Sequence, residues 1–354
     1  MSTIEIRSSQ GSYQIQIGIQ ANEYVGEIDF LIVDQNVPED KLPAAKSIHL
    51  IDASESHKTL STIEEIVSSM AAAGLTRGSV VHALGGGIVQ DLATLSCSIY
   101  MRGINWVYWP STFTGMLDSC IGGKSSINVA DHKNLIGNFH PPIEILIDTS
   151  LLASLPEEHL ISGLAEGVKI CFAKSQSALS DFLEISDIAT GNLIDKPEAL
   201  IELSLNAKKW FVEIDEFDKR ERQLLNFGHS FGHALESASN YLIPHGIAVA
   251  LGMKAALQFD GSDLAQPLIS LDSYCDSLLR NWQDLRSKTK RIDWDVFTAS
   301  IERDKKNSKA DLRLVLPNKE GRLHLKSIPF SSGATQKATE TMRRVVEDLT
   351  NEVL

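Results

Sequence analysis

Cysteine is scarce and scattered. The four cysteines, Cys97, Cys120, Cys171 and Cys275, form no Cys-x-x-Cys pair, so no disulfide framework or thiolate zinc site is indicated, and each is expected buried, reduced and structural. No apolar run reaches the length of a membrane span, which argues against a membrane partner. The opening stretch MSTIEIRSSQ carries no basic-then-apolar signal, and the expectation is a cytoplasmic protein. Positive charge is in deficit as well. With 33 Lys and Arg against 46 Asp and Glu, the formal net charge of −13 argues against nucleic acid as a partner, because a phosphate backbone needs a basic surface. A local cluster of Lys and Arg could still hold a small anion. Internal repeats and low-complexity linkers are also missing.

What is present is an ordinary globular composition, 43% hydrophobic and 22% charged. At 354 residues the chain exceeds what one hydrophobic core usually supports, so two domains are expected. Residues 1 to about 20 alternate polar and apolar through Ile4, Ile6, Tyr13, Ile15 and Ile17, as an antiparallel hairpin does. FLIVDQNV reads as a buried parallel strand delivering Asp34 and Asn36 at its carboxyl end, and SIHLIDA repeats the pattern. A helical segment, IEEIVSSMAAAGL, leads to another buried strand, SVVHALGGG. Strand, helix, strand predicts a parallel sheet with helices on both faces. Gly85, Gly86 and Gly87 would let the backbone approach a phosphate at the start of the next helix, although a tight structural turn explains three glycines as well. After the strand INWVYWP come STFTGMLDSCIGGKSSIN and KNLIGNFHPP, read as polar loops that offer Asp118, Lys124, Lys133 and Asn134.

From about residue 150 helical periodicity dominates, through LLASLPEEHLISGLAEGVKICFA, KPEALIELSLNAKKWFVEI and GIAVALGMKAALQF, with one strand pair near 312–328 and a helical tail. The predicted organisation is an α/β nucleotide-binding domain of Rossmann type over 1–150 and a mostly α-helical domain over 151–354, with the active site in the cleft between them. The segment RQLLNFGHSFGHALESASNYLIPH carries the strongest chemical signal. His229 and His233 stand four apart in a helical stretch, so both imidazoles leave one face, and His245 follows a break at Pro244. A pair of hydrogen-bonded core histidines and a metal site both fit that spacing. Glu166, in the apolar helical run GLAEGVK, favours the metal, because a lone buried carboxylate is costly unless paired or ligated. One Glu and two His leave a fourth position open, the layout of a catalytic zinc.

Seven motifs in order, GGG with Asp91, YMRG, DSCIGGKSSIN, KNLIGNF, GLAEGVK, LLNFGHSFGHALE and PHGIAVALGM, resemble the 3-dehydroquinate synthase family of sugar phosphate cyclases. The resemblance extends from the strand of Asp34 to Asp304-Lys305-Lys306. It implies a dehydroquinate synthase-like fold, NAD and a divalent metal as cofactors (Zn2+, with Co2+ as an alternative), and a homodimer. Carried over position by position, it implies Glu166, His229 and His245 as metal ligands. The NAD positions would be Asp34, Asn36, Glu55, Lys58, Gly86, Gly87, Asp91, Ser111, Thr112, Asp118 and Lys133. Lys124, Lys169, Asn226, His233 and Asp118 would be catalytic. Asn134, Lys208, Asp218, Arg222 and Lys305 would bind substrate, with Arg102 reaching the neighbouring subunit's phosphate site.

The chemistry implied fits these residue types. Lys124, Asn134 and Lys305 offer donors to a phosphate, and Lys208 and Arg222 suit a carboxylate. In the family's reaction NAD takes a hydride from the C5 hydroxyl with metal assistance, phosphate leaves by β-elimination, the ketone is reduced back, and an intramolecular aldol addition closes the ring. Gln90, where the family commonly has glycine, is expected to narrow the space near the pyrophosphate. Ser111 replaces a threonine, Asp218 a glutamate, and DEFDKRERQ is an unusual lead-in. The first reading is therefore a cyclase acting on 3-deoxy-arabino-heptulosonate 7-phosphate. The alternatives are a cyclase for another sugar phosphate, such as an amino analogue, glucose 6-phosphate or sedoheptulose 7-phosphate, and, from a different class, an NAD- and metal-dependent alcohol dehydrogenase.

Overall fold

The computed structural model describes residues 2–130, 132–186, 193–261, 265–303 and 310–351. The alternation at the start produces the expected hairpin: β1 (Ser2–Ile6) and β2 (Tyr13–Ile17) pair antiparallel, and Ile4, Ile6, Tyr13, Ile15 and Ile17 are all buried. The chain then lays down β3 (Phe30–Asp34), β4 (Ile48–Ile51), α1 (Leu60–Ala72), β5 (Val80–Gly85), α2 (Gly87–Ile99) and β6 (Asn105–Pro110). A small hairpin of β7 (Ile127–Val129) and β8 (His132–Ile136) precedes β9 (Glu144–Ile147). Seven strands make one sheet in the order β1-β2-β9-β6-β5-β3-β4, in which β1 alone runs antiparallel to the rest. β3 is buried from Phe30 to Val33, as its apolar run predicts. β4 departs from that pattern, because it is the edge strand and leaves Ile48 and Leu50 exposed. An apolar run alone does not tell a central strand from an edge one.

Next come α3 (Glu157–Lys174) and α4 (Gln176–Ile185), followed by α5 (Pro197–Ile214). The remaining elements are α6 (His229–Ala238), α7 (His245–Gln258), α8 (Gln266–Asn281), α9 (Leu285–Thr289), α10 (Trp294–Glu302), the antiparallel pair β10 (Asp311–Pro317) and β11 (Leu323–Pro329), and α11 (Ala334–Asn351). Two compact units result: residues 1–155 with 197–217, and residues 156–196 with 218–354. A single division near residue 150 therefore misplaces α5, whose Ser204 hydroxyl donates to Leu117 O, 2.9 Å away in the first unit. Its amphipathic pattern specifies a helix with one buried face, and says nothing of which core buries it.

Within the second unit, α3 is buried continuously from Ile161 to Phe172 and α7 from Gly246 to Leu257. Two glycines of α7 permit its neighbours' close approach. A Cβ at Gly246 would lie 2.3 Å from Ser162 O of α3, and one at Gly252 would lie 2.1 Å from Gly228 O, just ahead of α6. These contacts bring the start of α7 against α3 and the start of α6 against the middle of α7. No helix among the described residues is long and apolar enough to cross a membrane. All four cysteines are buried and unbridged.

Candidate active site

Glu166 lies mid-way along α3 with its side chain 1% exposed. Its Oε2 is paired with Lys169, one turn further on, and Oε1 makes no well-formed hydrogen bond. That buried oxygen instead faces two imidazoles: His245 Nε2 at 3.2 Å and His229 Nε2 at 3.7 Å. His229 opens α6 and His245 opens α7, so the helix starts aim both rings at α3. His233, one turn along α6, joins them, and ligand atoms of His229, His233 and His245 all fall within 4.8 Å of one another. A desolvated carboxylate oxygen is costly unless a cation meets it, here a protonated His245 ring or a metal ion in place of that proton. One oxygen and two or three imidazole nitrogens form a donor set that fits a divalent transition metal such as zinc or cobalt.

The ring nitrogens pointing away are held as well. His229 Nδ1 is 3.2 Å from Phe227 O; a carbonyl can only accept, so Nδ1 is the donor and Nε2 is the nitrogen turned to Glu166. His245 Nδ1 faces both carboxylate oxygens of Glu236, each at 3.2 Å. Burial works against a charge on His245, but contact with Glu166 and Glu236 outweighs it and raises the pKa to about 10. Glu236 is a candidate site residue that sequence reasoning passed over. Its spacing offered a signal, because it lies three residues after His233 and seven after His229, on the same helical face.

The turn ahead of α6, Glu221–Asn226, carries two more expected residues. Arg222 is buried at 4% exposure, and Asn226 donates from Nδ2 to Gln223 O at 3.0 Å. Asp218 adopts a left-handed backbone, φ 57°, and its carbonyl accepts from Gln223 Nε2. Lys305 lies outside the described residues.

In the first unit the expected cofactor residues gather where β3 and β5 end. Asp34 accepts from Asn36 through both its N–H and its side-chain amide, at 2.9 Å each. α2 begins at Gly87 directly after β5, and a Cβ on Gly87 would meet nothing within 4 Å, which leaves open space over a helix N-terminus. Gly86 packs on Thr112, with an added Cβ only 2.8 Å from its methyl. Ser111 N–H donates to Gly85 O. Buried Lys58 reaches Asp91 Oδ2 at 3.0 Å, Asn134 Oδ1 at 2.6 Å and Ser126 Oγ at 3.4 Å. Burial pushes the Asp91 carboxyl above its usual range, partly offset by Lys58 and by Ser126 donors. Asn134, expected on the substrate, is thus grouped with Lys58 and Asp91. Glu55 pairs with Lys133 at 3.5 Å and accepts from Asn128 Nδ2 at 2.8 Å. Asp118 pairs with Lys208 of α5. Lys124 bridges to Phe139 through the backbone, and Arg102 is exposed in a left-handed turn after α2. Gln90 does not crowd Gly87, because its amide is turned to Ser119. Ser126 and Asn128, which tie these groups together, lie in a stretch whose polarity reads as loop.

The backbone matches solved structures over nearly its whole length. One is a 2-deoxy-scyllo-inosose synthase complexed with carbaglucose-6-phosphate, NAD+ and Co2+, with a TM-score of 0.79 at 22% identity over 97% of this chain and 99% of that one. Another is the 2-epi-5-epi-valiolone synthase of Streptomyces hygroscopicus subsp. jinggangensis with NAD+ and Zn2+ bound, with a TM-score of 0.76 at 25% identity over 94% and 96%. The fold is that of the sugar phosphate cyclases.

Residues 48–162 match the family model of the 3-dehydroquinate synthase N-terminal region, and residues 163–307 that of the C-terminal region. The 3-dehydroquinate synthase of Dictyoglomus thermophilum is 37% identical over 297 residues, 81% of this chain and 80% of its own. The chain belongs to the 3-dehydroquinate synthase family.

Proposed function

We propose that the protein is a phosphate-eliminating carbon–oxygen lyase that converts 3-deoxy-arabino-heptulosonate 7-phosphate to 3-dehydroquinate and inorganic phosphate, using NAD and zinc, as a cytoplasmic homodimer in the shikimate pathway to the aromatic amino acids. The observation that carries this reading is the buried Glu166 Oε1 facing His229 and His245, a divalent-metal donor set in a chain of this family. When bound, NAD supplies a hydride acceptor that is restored within the turnover, and the dication supplies acidity at the substrate hydroxyl.

The protein's own groups do the rest. Glu166, His229 and His245 are the ligands. His233, beside both histidines, exchanges a proton with a substrate hydroxyl, and Asn226 and Lys169 hold the sugar's polar face. Lys124, Asn134 and Lys305 take the phosphate, joined by Arg102 of the second copy. Lys208 and buried Arg222 take the carboxylate, with Asp218 ahead of them. Asp34, Asn36, Glu55, Lys58, Gly86, Gly87, Asp91, Ser111, Thr112, Asp118 and Lys133 hold the dinucleotide. Arg222 favours a sugar acid over neutral-headed sugar phosphates, since its planar guanidinium matches a carboxylate that only the acid carries.

The test is phosphate release from a panel of sugar phosphates with NAD present. The expected result is turnover of the heptulosonate phosphate with no net NADH. Turnover of sedoheptulose 7-phosphate or glucose 6-phosphate in its place would point to another cyclase, and accumulating NADH to a dehydrogenase.

A further inference from the structure

The turn that follows Thr112 is an unusual piece of backbone. Met116 N–H bonds back to Thr112 O over four residues, but Cys120 N–H bonds to Gly115 O over five, so Gly115–Ser119 is wound as a π-helical turn. Such turns are rare and need outside support. Support comes from two helices. On the α5 side, Ser204 Oγ donates to Leu117 O at 2.9 Å, and Lys208 Nζ donates to Asp118 O at 2.6 Å while pairing with its carboxylate. On the α2 side, Gln90 engages Ser119 twice: Nε2 donates to Ser119 O at 2.7 Å, and Oε1 accepts from Ser119 Oγ at 2.7 Å.

Gln90 is buried at 4% exposure in the first turn of α2, next to Asp91 and three residues after Gly87. Both ends of its amide are spent on one residue of the turn. A glycine there could make neither bond. The clamp therefore joins the helix N-terminus that faces open space at Gly87 to the turn that carries Asp118.

We infer that Gln90 is a positioning residue for the dinucleotide: through Ser119 it sets Asp118 relative to the start of α2, and so fixes the affinity for NAD without touching it. This inference rests on the NAD reading above. Its signature is selective. A side chain that served only to fill the core would, on removal, lower stability and metal loading along with cofactor affinity. A clamp on this turn changes NAD affinity while the Glu166 and His229 cluster, in the other unit, keeps its metal.

The experiment is calorimetric titration of the zinc-loaded full chain with NAD, for wild type, Gln90→Leu, Ser119→Ala and the double variant, with zinc content measured alongside. Gln90→Leu removes two hydrogen bonds at nearly constant volume and is expected to raise the Kd for NAD about tenfold or more, with zinc content unchanged. Ser119→Ala removes one bond and keeps the other, so a smaller rise is expected, and the double variant should be no weaker than Gln90→Leu. An unchanged Kd in Gln90→Leu, or fully additive effects in the double variant, overturns the inference. If Gln90→Leu does not fold, Ser119→Ala decides alone, and an unchanged Kd there overturns the inference. Should wild type bind no NAD, the cofactor reading itself falls.

Discussion

Glu236 backs His245 with both of its carboxylate oxygens, each 3.2 Å from Nδ1, while the opposite nitrogen of the same ring looks at Glu166 Oε1 from 3.2 Å. Carboxylate, imidazole and ligand-facing nitrogen in line is how proteins fix the tautomer and raise the basicity of a metal-binding histidine. Glu236→Gln keeps the shape and removes the charge, so zinc affinity should fall roughly 10–100-fold with the fold intact. Competition with a chromophoric chelator measures it, and an unchanged affinity would show that Glu236 has no such role. His245→Ala or His229→Ala should leave no stoichiometric zinc at all, and Glu166→Ala likewise.

The two carboxylates also set a pH dependence. His245, raised to about 10, is an imidazolium at neutral pH when no metal is bound. The sign follows from the raised value: the charged ring stabilises the metal-free fold fully below the ordinary histidine range near 6.5 and is lost as pH climbs through 10. A metal must displace that proton. Calorimetry at pH 7–8 in buffers of different ionisation enthalpy should show close to one proton released per zinc, fading above pH 10. Zinc uptake without proton release in that window would contradict the assignment.

His82 behaves in the opposite way. The Trp109 indole donates to His82 Nδ1 at 3.1 Å, which requires that nitrogen to be unprotonated, and burial lowers the pKa to about 4. Stability is then complete above pH 6.5 and is lost as pH falls towards 4, by on the order of 3 kcal/mol at the limit. In urea titrations from pH 7 to pH 4, His82→Leu should flatten this part of the stability profile. An equally steep profile in the variant would assign the acid sensitivity elsewhere.

The choice of substrate is testable at buried Arg222. Arg222→Leu should cost roughly 2–5 kcal/mol in kcat/KM on 3-deoxy-arabino-heptulosonate 7-phosphate, because truncation strands a desolvated carboxylate. On sedoheptulose 7-phosphate the change should matter little. Equal losses on both sugars would show that Arg222 does not read the acid group.

Several of these features are legible in the residues themselves. Alternation at Ile4, Ile6, Tyr13, Ile15 and Ile17 specifies β1 and β2, and four-residue spacing puts His229 and His233 on one helical face. Pro244 marks the start of α7 and delivers His245 as its first residue. Other features depend on partners far away in sequence. The buried face of α5, through Leu200, Leu205 and Phe211, would suit either core. Asp118 and Lys208 are 90 positions apart, and nothing local announces their pairing. Glu236 has the composition of a solvated helix face until His245 folds back on it. The strands β7 and β8 hide in polar sequence because β8 is largely exposed and Asn134 in it takes a left-handed backbone, φ 52°.

The return of α5 to the first unit bears on how the chain is made. A ribosome releases residues in order, so the sheet is assembled by residue 155 but lacks Ser204 and Lys208 against the turn of Leu117 and Asp118 until Phe217 has emerged. By then α3 has already appeared, with part of the surface that runs from Ile161 to Phe172 uncovered, since α4 packs on it but α7 has not been synthesised. The nascent protein therefore passes through a stage in which a helix destined for burial awaits a partner about seventy residues downstream, a natural point for chaperone capture. For the same reason, cutting the gene after residue 155 yields no complete half: a fragment that ends there could be rescued only by a second piece that supplies Pro197–Ile214.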